Sequence, residues 1–376
     1  MLSACPNNNR VLQTAHVKNT AVLSTLPLQS GNILAPAQIA YETWGTLNSS
    51  GDNCILICHA LTGDAHACDE IHSNDMGAGW WNPLIGKGRV LDTEKYFIVC
   101  SNVLGSCYGS SGPTSAHPED GCAYRLRFPE ISVHDMVYAQ RELLQQLGVH
   151  SLAAVIGGSL GGLQALEWAI AYSGFVASAI VIAASPRLSA QGLAFDEISR
   201  QAIMGDPNWN QGNYSGANPP SFGLGLARMI AMLTYTSAEG LENRFGRKPA
   251  VRTSDRPQFG PRRDIDTYLH HQADKLTHRF DANSYLYLVN AMDSYDASVG
   301  PGRGSDTRAL RKIQGRLLGI GISSDWLFPA KDVRKMIADA QSVGVWAEYR
   351  QIESPNGHDA FLQEWAQLTH VLQNFL

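Results

Sequence analysis

The stretch Leu152-Ala153-Ala154-Val155-Ile156-Gly157-Gly158-Ser159-Leu160-Gly161-Gly162 decides how this chain is read. A short apolar run ends in Gly-x-Ser-x-Gly, and a helical pattern opens at once over residues 162–172. That is the strand-turn-helix form of a nucleophile elbow. The pentapeptide alone is a weak signal, because a glycine-rich strand-to-helix turn can serve packing only; the flanking strand and helix make it specific. Small neighbours let the backbone take a strained turn that projects the Ser159 hydroxyl at a helix N-terminus, where the peptide dipole favours developing negative charge. The N–H of Leu160, the residue after the serine, is then the first candidate donor to an oxyanion.

A serine nucleophile needs a base, and the base needs an acid that orients it. Asp325 lies just past an expected strand at 316–322, and His358 just past another at 345–352. Both therefore fall at the C-terminal edge of a sheet, where open α/β proteins place their sites, in the chain order Ser, Asp, His. Each alone has a plain alternative, a helix cap for Asp325 and a turn residue for His358. The expected strand at 54–58 runs into His59-Ala60-Leu61-Thr62-Gly63, which puts the N–H of Leu61 where a second oxyanion donor belongs. His59, His66, His72, Asp64 and Asp69 cluster nearby, but they show no metal-ligand spacing, and no metal is expected.

Further apolar runs at 96–100 and 177–183 alternate with helical patterns at 132–147 and 330–342, which argues βαβ units around a parallel sheet. Two β-branched segments at 20–28 and 33–43, parted by Ser30-Gly31-Asn32, predict an antiparallel lead-in. A closing helix is expected over 359–375. From about residue 185 to 311 the buried-strand runs stop, while Gly and Pro cluster and helices gain polar faces. The organisation expected is a core of residues 20–184 and 312–376 interrupted by a helical cap at 185–311.

The chain has 376 residues, 44% of them hydrophobic and 17% charged, which suits a folded enzyme-sized protein. With 29 Lys and Arg against 34 Asp and Glu, its net charge of -5 offers no basic footprint for nucleic acid or an anionic membrane. No apolar run reaches the roughly 18 residues needed to cross a bilayer, and the N-terminal stretch lacks the apolar core of a secretory signal. A cytoplasmic location is expected. Seven cysteines without paired spacing read most simply as free thiols.

Beyond these single signals, the chain from about Leu23 onward resembles the homoserine O-acetyltransferase family, acyltransferases on the α/β-hydrolase fold. The likeness rests on many motifs: Tyr41-Glu42-Thr43-Trp44-Gly45, residues 59–64, Gly79-Trp80-Trp81, Ser101-Asn102-Val103-Leu104-Gly105, Gly109-Ser110-Ser111-Gly112-Pro113 and residues 158–168. It continues through Phe280-Asp281-Ala282-Asn283-Ser284-Tyr285, Ser323-Ser324-Asp325 and Gly357-His358-Asp359-Ala360-Phe361-Leu362. Ser159, Asp325 and His358 match the family's triad, which coincides with the reading from the residues themselves.

The resemblance implies a mostly parallel sheet with an inserted helical cap, and transfer of an acetyl group from acetyl-CoA to the hydroxyl of L-homoserine through an acyl-serine, a step of methionine biosynthesis. It implies no permanently bound cofactor, acetyl-CoA as co-substrate, and a homodimer formed through the cap. It also assigns Arg200 to the substrate's carboxylate, Asp359 to its ammonium group, and Tyr235 to the same site, a charge pattern suited to an amino acid. Related enzymes use succinyl-CoA or accept serine, and a plain carboxylesterase is a further alternative. Neither 59–86 nor 151–186 contains a Lys or Arg, so the two oxyanion segments offer no cation to a succinyl carboxylate, which favours acetyl.

Overall fold

The computed structural model describes residues 19–69, 79–251 and 259–376. It opens with β1 (Asn19–Leu23), β2 (Leu26–Pro27), β3 (Ile33–Leu34) and β4 (Ala37–Trp44). β1 pairs antiparallel with β4, and β2 with β3. The break at Ser30-Gly31-Asn32 is where the sequence predicts it, with Gly31 at a φ of 86°. The two expected long strands are each divided: the first between Leu23 and Leu26, the second at Pro36, which has no N–H to give a ladder.

Then follow β5 (Cys54–Cys58), β6 (Phe97–Ser101), α1 (Val133–Gln146), β7 (Leu152–Gly158), α2 (Leu160–Ala171) and β8 (Ser178–Ile182). The side chain of Ser132 caps α1, and Asp135 answers with its own bond to the Ser132 backbone, so both ends of that turn are satisfied. Residues 183–315 add no strand to the sheet among the described residues. They form α3 (Ala190–Met204), α4 (Ser221–Tyr235), α5 (Ala238–Arg244), α6 (Asp264–Arg279), α7 (Ala282–Asp293) and α8 (Asp306–Leu310). α4 packs against both α3 and α6. The chain returns with β9 (Arg316–Ile322), α9 (Ala330–Ser342), β10 (Ala347–Ile352) and α10 (Trp365–Gln373).

The sheet has eight strands in the order β1-β4-β6-β5-β7-β8-β9-β10, parallel from β6 to β10. β5 shows why its strands read as unbroken apolar runs. Cys54, Leu56 and Cys58 belong to the core under α1 and α2, whereas Ile55 and Ile57 pack into the opposite core with Trp81, Phe361 and Leu368. Both faces are covered, as in a doubly wound sheet. Each aliphatic side chain buried in this way contributes about 1.5–3 kcal/mol.

One expected element is corrected. Instead of a single helix over 359–375, a short 3-10 turn (Gly357–Leu362) precedes α10. The carboxylate of Glu364 accepts from Ser354 Oγ at 2.6 Å and Asn356 Nδ2 at 3.1 Å, which ties the chain back on itself and separates the two pieces. Cys54, Cys58, Cys100 and Cys107 are buried free thiols; Cys122, contrary to expectation, takes part in a disulfide, which no spacing in the sequence announces. No described helix is long and apolar enough to cross a membrane.

Candidate active site

Ser159 stands between β7, the fifth strand of the sheet, and α2, with φ 59° and ψ −125°. A non-glycine residue there carries about 1–3 kcal/mol of strain, so the surroundings must enforce it. They do so by close approach. A Cβ at Gly157 would lie 2.1 Å from the carbonyl oxygen of Gly161, and one at Gly161 would lie 2.0 Å from that of Cys58. The Ser159 N–H donates to the carbonyl of Ile182 at 3.1 Å, and the Ser159 carbonyl accepts from Leu163 at 3.0 Å. Strands β5 and β8 and helix α2 thus hold the turn from three sides.

Asp325 leaves the C-terminal end of β9. Its Oδ1 accepts the N–H groups of Leu327 and Phe328, both at 2.9 Å, which leaves Oδ2 for His358 Nδ1 at 2.7 Å. The imidazole lies between the rings of Phe328 and Tyr235, with centroids at 5.7 and 5.9 Å. Burial pulls the His358 pKa down, but the charge and hydrogen bond of Asp325, with Asp359 adding, outweigh it and hold the group above its ordinary value. Its Nε2 is buried and has no hydrogen-bond partner among the described residues. Ser159 and His358 line one cavity of about 480 Å³.

The loop 60–63 runs along this cavity, and the N–H groups of Leu61 and Leu160 make no hydrogen bond among the described residues. Two residues hold that loop. His59 is fully buried, with Nδ1 donating to the Ala60 carbonyl at 2.8 Å and Nε2 accepting from the Val103 N–H at 3.2 Å. Burial lowers its pKa, in keeping with a neutral ring whose two nitrogens have opposite roles. Arg279 donates to the Thr62 carbonyl at 2.8 Å and to the Tyr108 hydroxyl. Sequence reasoning named neither for this task. The motifs around Asn102 and Ser110 have similar support roles: Asn102 Oδ1 accepts from Ala65 N–H at 2.6 Å, and Ser110 Oγ accepts from Ala40 N–H at 3.0 Å.

Of the three residues expected at the substrate, Asp359 and Tyr235 line the cavity and Arg200 does not. Arg200 points from α3 toward α7, with Nη1 2.7 Å from Asp293 and Nε 3.0 Å from Glu197. Its Nε and one Nη1 donor are engaged by carboxylates of the protein. The arginine in the cavity is Arg228 of α4, whose guanidinium carbon is 5.4 Å from the centroid of Tyr235. Its Nε is buried and has no partner among the described residues. The signal that could have found it is spacing, because Arg228 and Tyr235 are two helical turns apart and share one face. Burial raises the Asp359 pKa, while His358 and Arg228 pull it down.

His66, at the cavity edge, bridges Glu42 at 3.1 Å and Asp69 at 2.9 Å. Among the described residues no three His, Cys, Asp or Glu side chains are grouped to hold a metal; His72 lies outside them. The Glu42 hydrogen bond, against some desolvation, raises the His66 pKa to about 9. A pKa raised on folding adds stability that is complete below the unfolded value of about 6.5 and is lost as pH climbs through 9. In denaturant titrations His66→Gln should therefore cost up to about 3 kcal/mol at pH 6 and little at pH 10. An equal cost at both pH values would reject a cationic His66.

Residues 53–364 match the family model described as the alpha/beta hydrolase fold. The chain is 47% identical over 353 residues to a homoserine O-acetyltransferase of Carboxydothermus hydrogenoformans, covering 93% of this chain and 92% of that one. The crystal structure of a homoserine O-acetyltransferase from Bacillus anthracis superposes with a TM-score of 0.87 at 29% identity, over 95% of this chain and 96% of that one. Esterase E22 superposes with a TM-score of 0.86 at 27% identity, over 95% and 98%. On its fold and on this level of identity across nearly its whole length, the chain belongs to the homoserine O-acetyltransferase family within the α/β hydrolases.

Proposed function

We propose that this chain transfers the acetyl group of acetyl-CoA to the hydroxyl of L-homoserine by double displacement through Ser159, with helices α3 to α8 as a cap over the site. His358 Nε2 takes the Ser159 proton as Oγ attacks the thioester carbonyl, and the N–H groups of Leu61 and Leu160 stabilise the oxyanion. The C–S bond breaks, His358 returns the proton to the CoA sulfur, and acetyl-Ser159 remains. The homoserine hydroxyl then gives its proton to the same nitrogen, attacks the acyl carbon and releases Ser159, which recovers the proton. No permanently bound cofactor enters either half.

The observation that carries this reading is the pairing of Arg228 and Asp359 in the cavity that also holds Ser159 and His358. An amino-acid acceptor loses hydration at both charged groups under a cap and needs one partner of each sign. Water needs neither, so the pair favours transfer over the hydrolysis suggested by the likeness to an esterase. Thiol release from acetyl-CoA or succinyl-CoA, each with homoserine, serine or no acceptor, tests the reading; acetyl-CoA with homoserine should be fastest, and thiol release indifferent to acceptor would reject it.

Arg228→Ala separates the two halves. Acetylation of Ser159 should stay within a few-fold of wild type, whereas transfer to homoserine should fall by about 10², the loss of a charge-assisted contact of about 2–4 kcal/mol. Single-turnover kinetics with and without homoserine read both rates, and an unimpaired second half would remove Arg228 from acceptor binding. We further propose a homodimer through the cap, supported by exposed Ile198 and Phe222 on α3 and α4, and a cytoplasmic location, where acetyl-CoA is made and used. Sedimentation velocity tests the dimer.

A further inference from the structure

Beside Ser159 a recess of about 10 Å³ adjoins the cavity, sharing Leu61, Ser159 and Tyr235 with it and lined further by Phe195, Asp196 and Tyr285. That is about the space one water molecule needs, so it admits a methyl group, and a longer acyl group must press its far end on the wall. Its wall carries one carboxyl group, that of Asp196 on α3, which is buried. Asp293, the last residue of α7, lies against it. Asp196 Oδ2 and Asp293 Oδ1 are both buried and have no hydrogen-bond partner among the described residues, while Asp293 Oδ2 accepts from Arg200 at 2.7 Å.

A single proton between the two carboxyl groups satisfies both orphan oxygens, whereas two bare carboxylates in contact cannot both persist. Burial first, and then the neighbouring Asp293, push the Asp196 pKa up to about 9. The remaining negative charge is balanced by Arg200, itself held on its other side by Glu197. Among the described residues the recess wall thus presents the protonated carboxyl of Asp196, while the charge of Asp293 is paired with Arg200; neither Arg200 nor Arg228, the acceptor-side cation of the main cavity, lines the recess.

We propose that the Asp196–Asp293 pair is a specificity element of the acyl site, closing the recess against acyl groups that end in a carboxylate. An acetyl methyl needs no polar partner there. A succinyl carboxylate would shed its water and meet two carboxyl groups, the nearer of them without a positive charge to offer. This rests on the acyl-Ser159 reading, and it gives Arg200 a role different from acceptor binding: it neutralises the pair.

Two measurements test it, both by mass spectrometry and stopped-flow acylation without acceptor. On the wild-type enzyme, succinamoyl-CoA and succinyl-CoA have the same length and differ in the terminal charge; the uncharged thioester should acylate Ser159 at least tenfold faster. In Asp196→Ala/Asp293→Asn the wall is opened and Arg200 loses the charge of Asp293, keeping only that of Glu197, so the ratio of succinyl-CoA to acetyl-CoA acylation should rise at least tenfold. Equal rates for the two wild-type donors, or an unchanged ratio in a variant that still forms acetyl-Ser159, would overturn the proposal. Absence of any acetyl-Ser159 in the wild type would instead reject the acyl-enzyme reading beneath it.

Discussion

Ser159→Ala is expected to abolish acyl transfer and, with it, the acetylated enzyme that forms when acetyl-CoA is added without an acceptor. Loss of a serine nucleophile from such a triad costs about 10⁶ in kcat, because no other group can open the covalent route. The geometry makes the substitution clean. Ala can follow the same backbone, since the φ of 59° is imposed by Gly157, Gly161 and the bond to Ile182, and only Oγ is removed. The oxyanion amides and the Arg228–Asp359 pair are untouched, so both substrates should still bind. What remains is direct attack of homoserine on the thioester. An acetyl adduct on the Ala variant at one per active site would show that another nucleophile acts.

The core was legible because its chemistry is local. β5 and β9 run over the residues expected of them, since strands buried on both faces leave an unbroken apolar run with sharp polar ends. The positions of Ser159 and Asp325 were legible for a related reason, since each follows the end of such a run; β10, before His358, is a polar edge strand, and His358 was placed by chain order instead. Arg200 and Arg228 show where this fails. Both are helical residues, Arg200 on α3 and Arg228 on α4, and which one faces the cavity depends on how these two helices pack against each other, a tertiary fact that neither helix states. The family resemblance pointed to Arg200, but Asp293, almost a hundred residues away, pairs with it. The break between the His358 turn and α10 was hidden likewise, because it depends on Glu364 reaching back to Ser354 and Asn356 rather than on a helix-breaking residue.

The holding groups were the least visible part, and they bear on function most directly. His59 and Arg279 come from opposite parts of the molecule, one at the end of β5 and one at the end of α6. They meet on the loop 60–63, whose Leu61 N–H, in the proposed reaction, has to be fixed in advance, because preorganised donors stabilise an oxyanion without the cost of reorienting. A residue of α6 thus helps to hold the loop that runs along the Ser159 cavity.

Asp325→Asn should leave the fold in place and lower turnover by about 10⁴, the loss found when the orienting acid of such a triad becomes an amide. The direction of the amide decides this. The N–H groups of Leu327 and Phe328 both donate to Oδ1 of Asp325, so the asparagine oxygen must take that position and its NH₂ must face His358 Nδ1. Nδ1 then has to accept, the ring proton moves to Nε2, and the nitrogen aimed at the cavity can no longer take a proton from Ser159 or from homoserine. Both halves of the reaction should slow together, unlike in Arg228→Ala. The pH profile should move as well. Asp325 helps to hold the His358 pKa above its ordinary value, so without it burial dominates, and the acid limb of the residual acylation rate should shift to lower pH. Single-turnover acylation between pH 5 and 9, with near-UV circular dichroism to confirm the fold, tests both effects. Turnover within tenfold of wild type, or an acid limb that does not move, would mean that the Asp325–His358 hydrogen bond does not set the working tautomer.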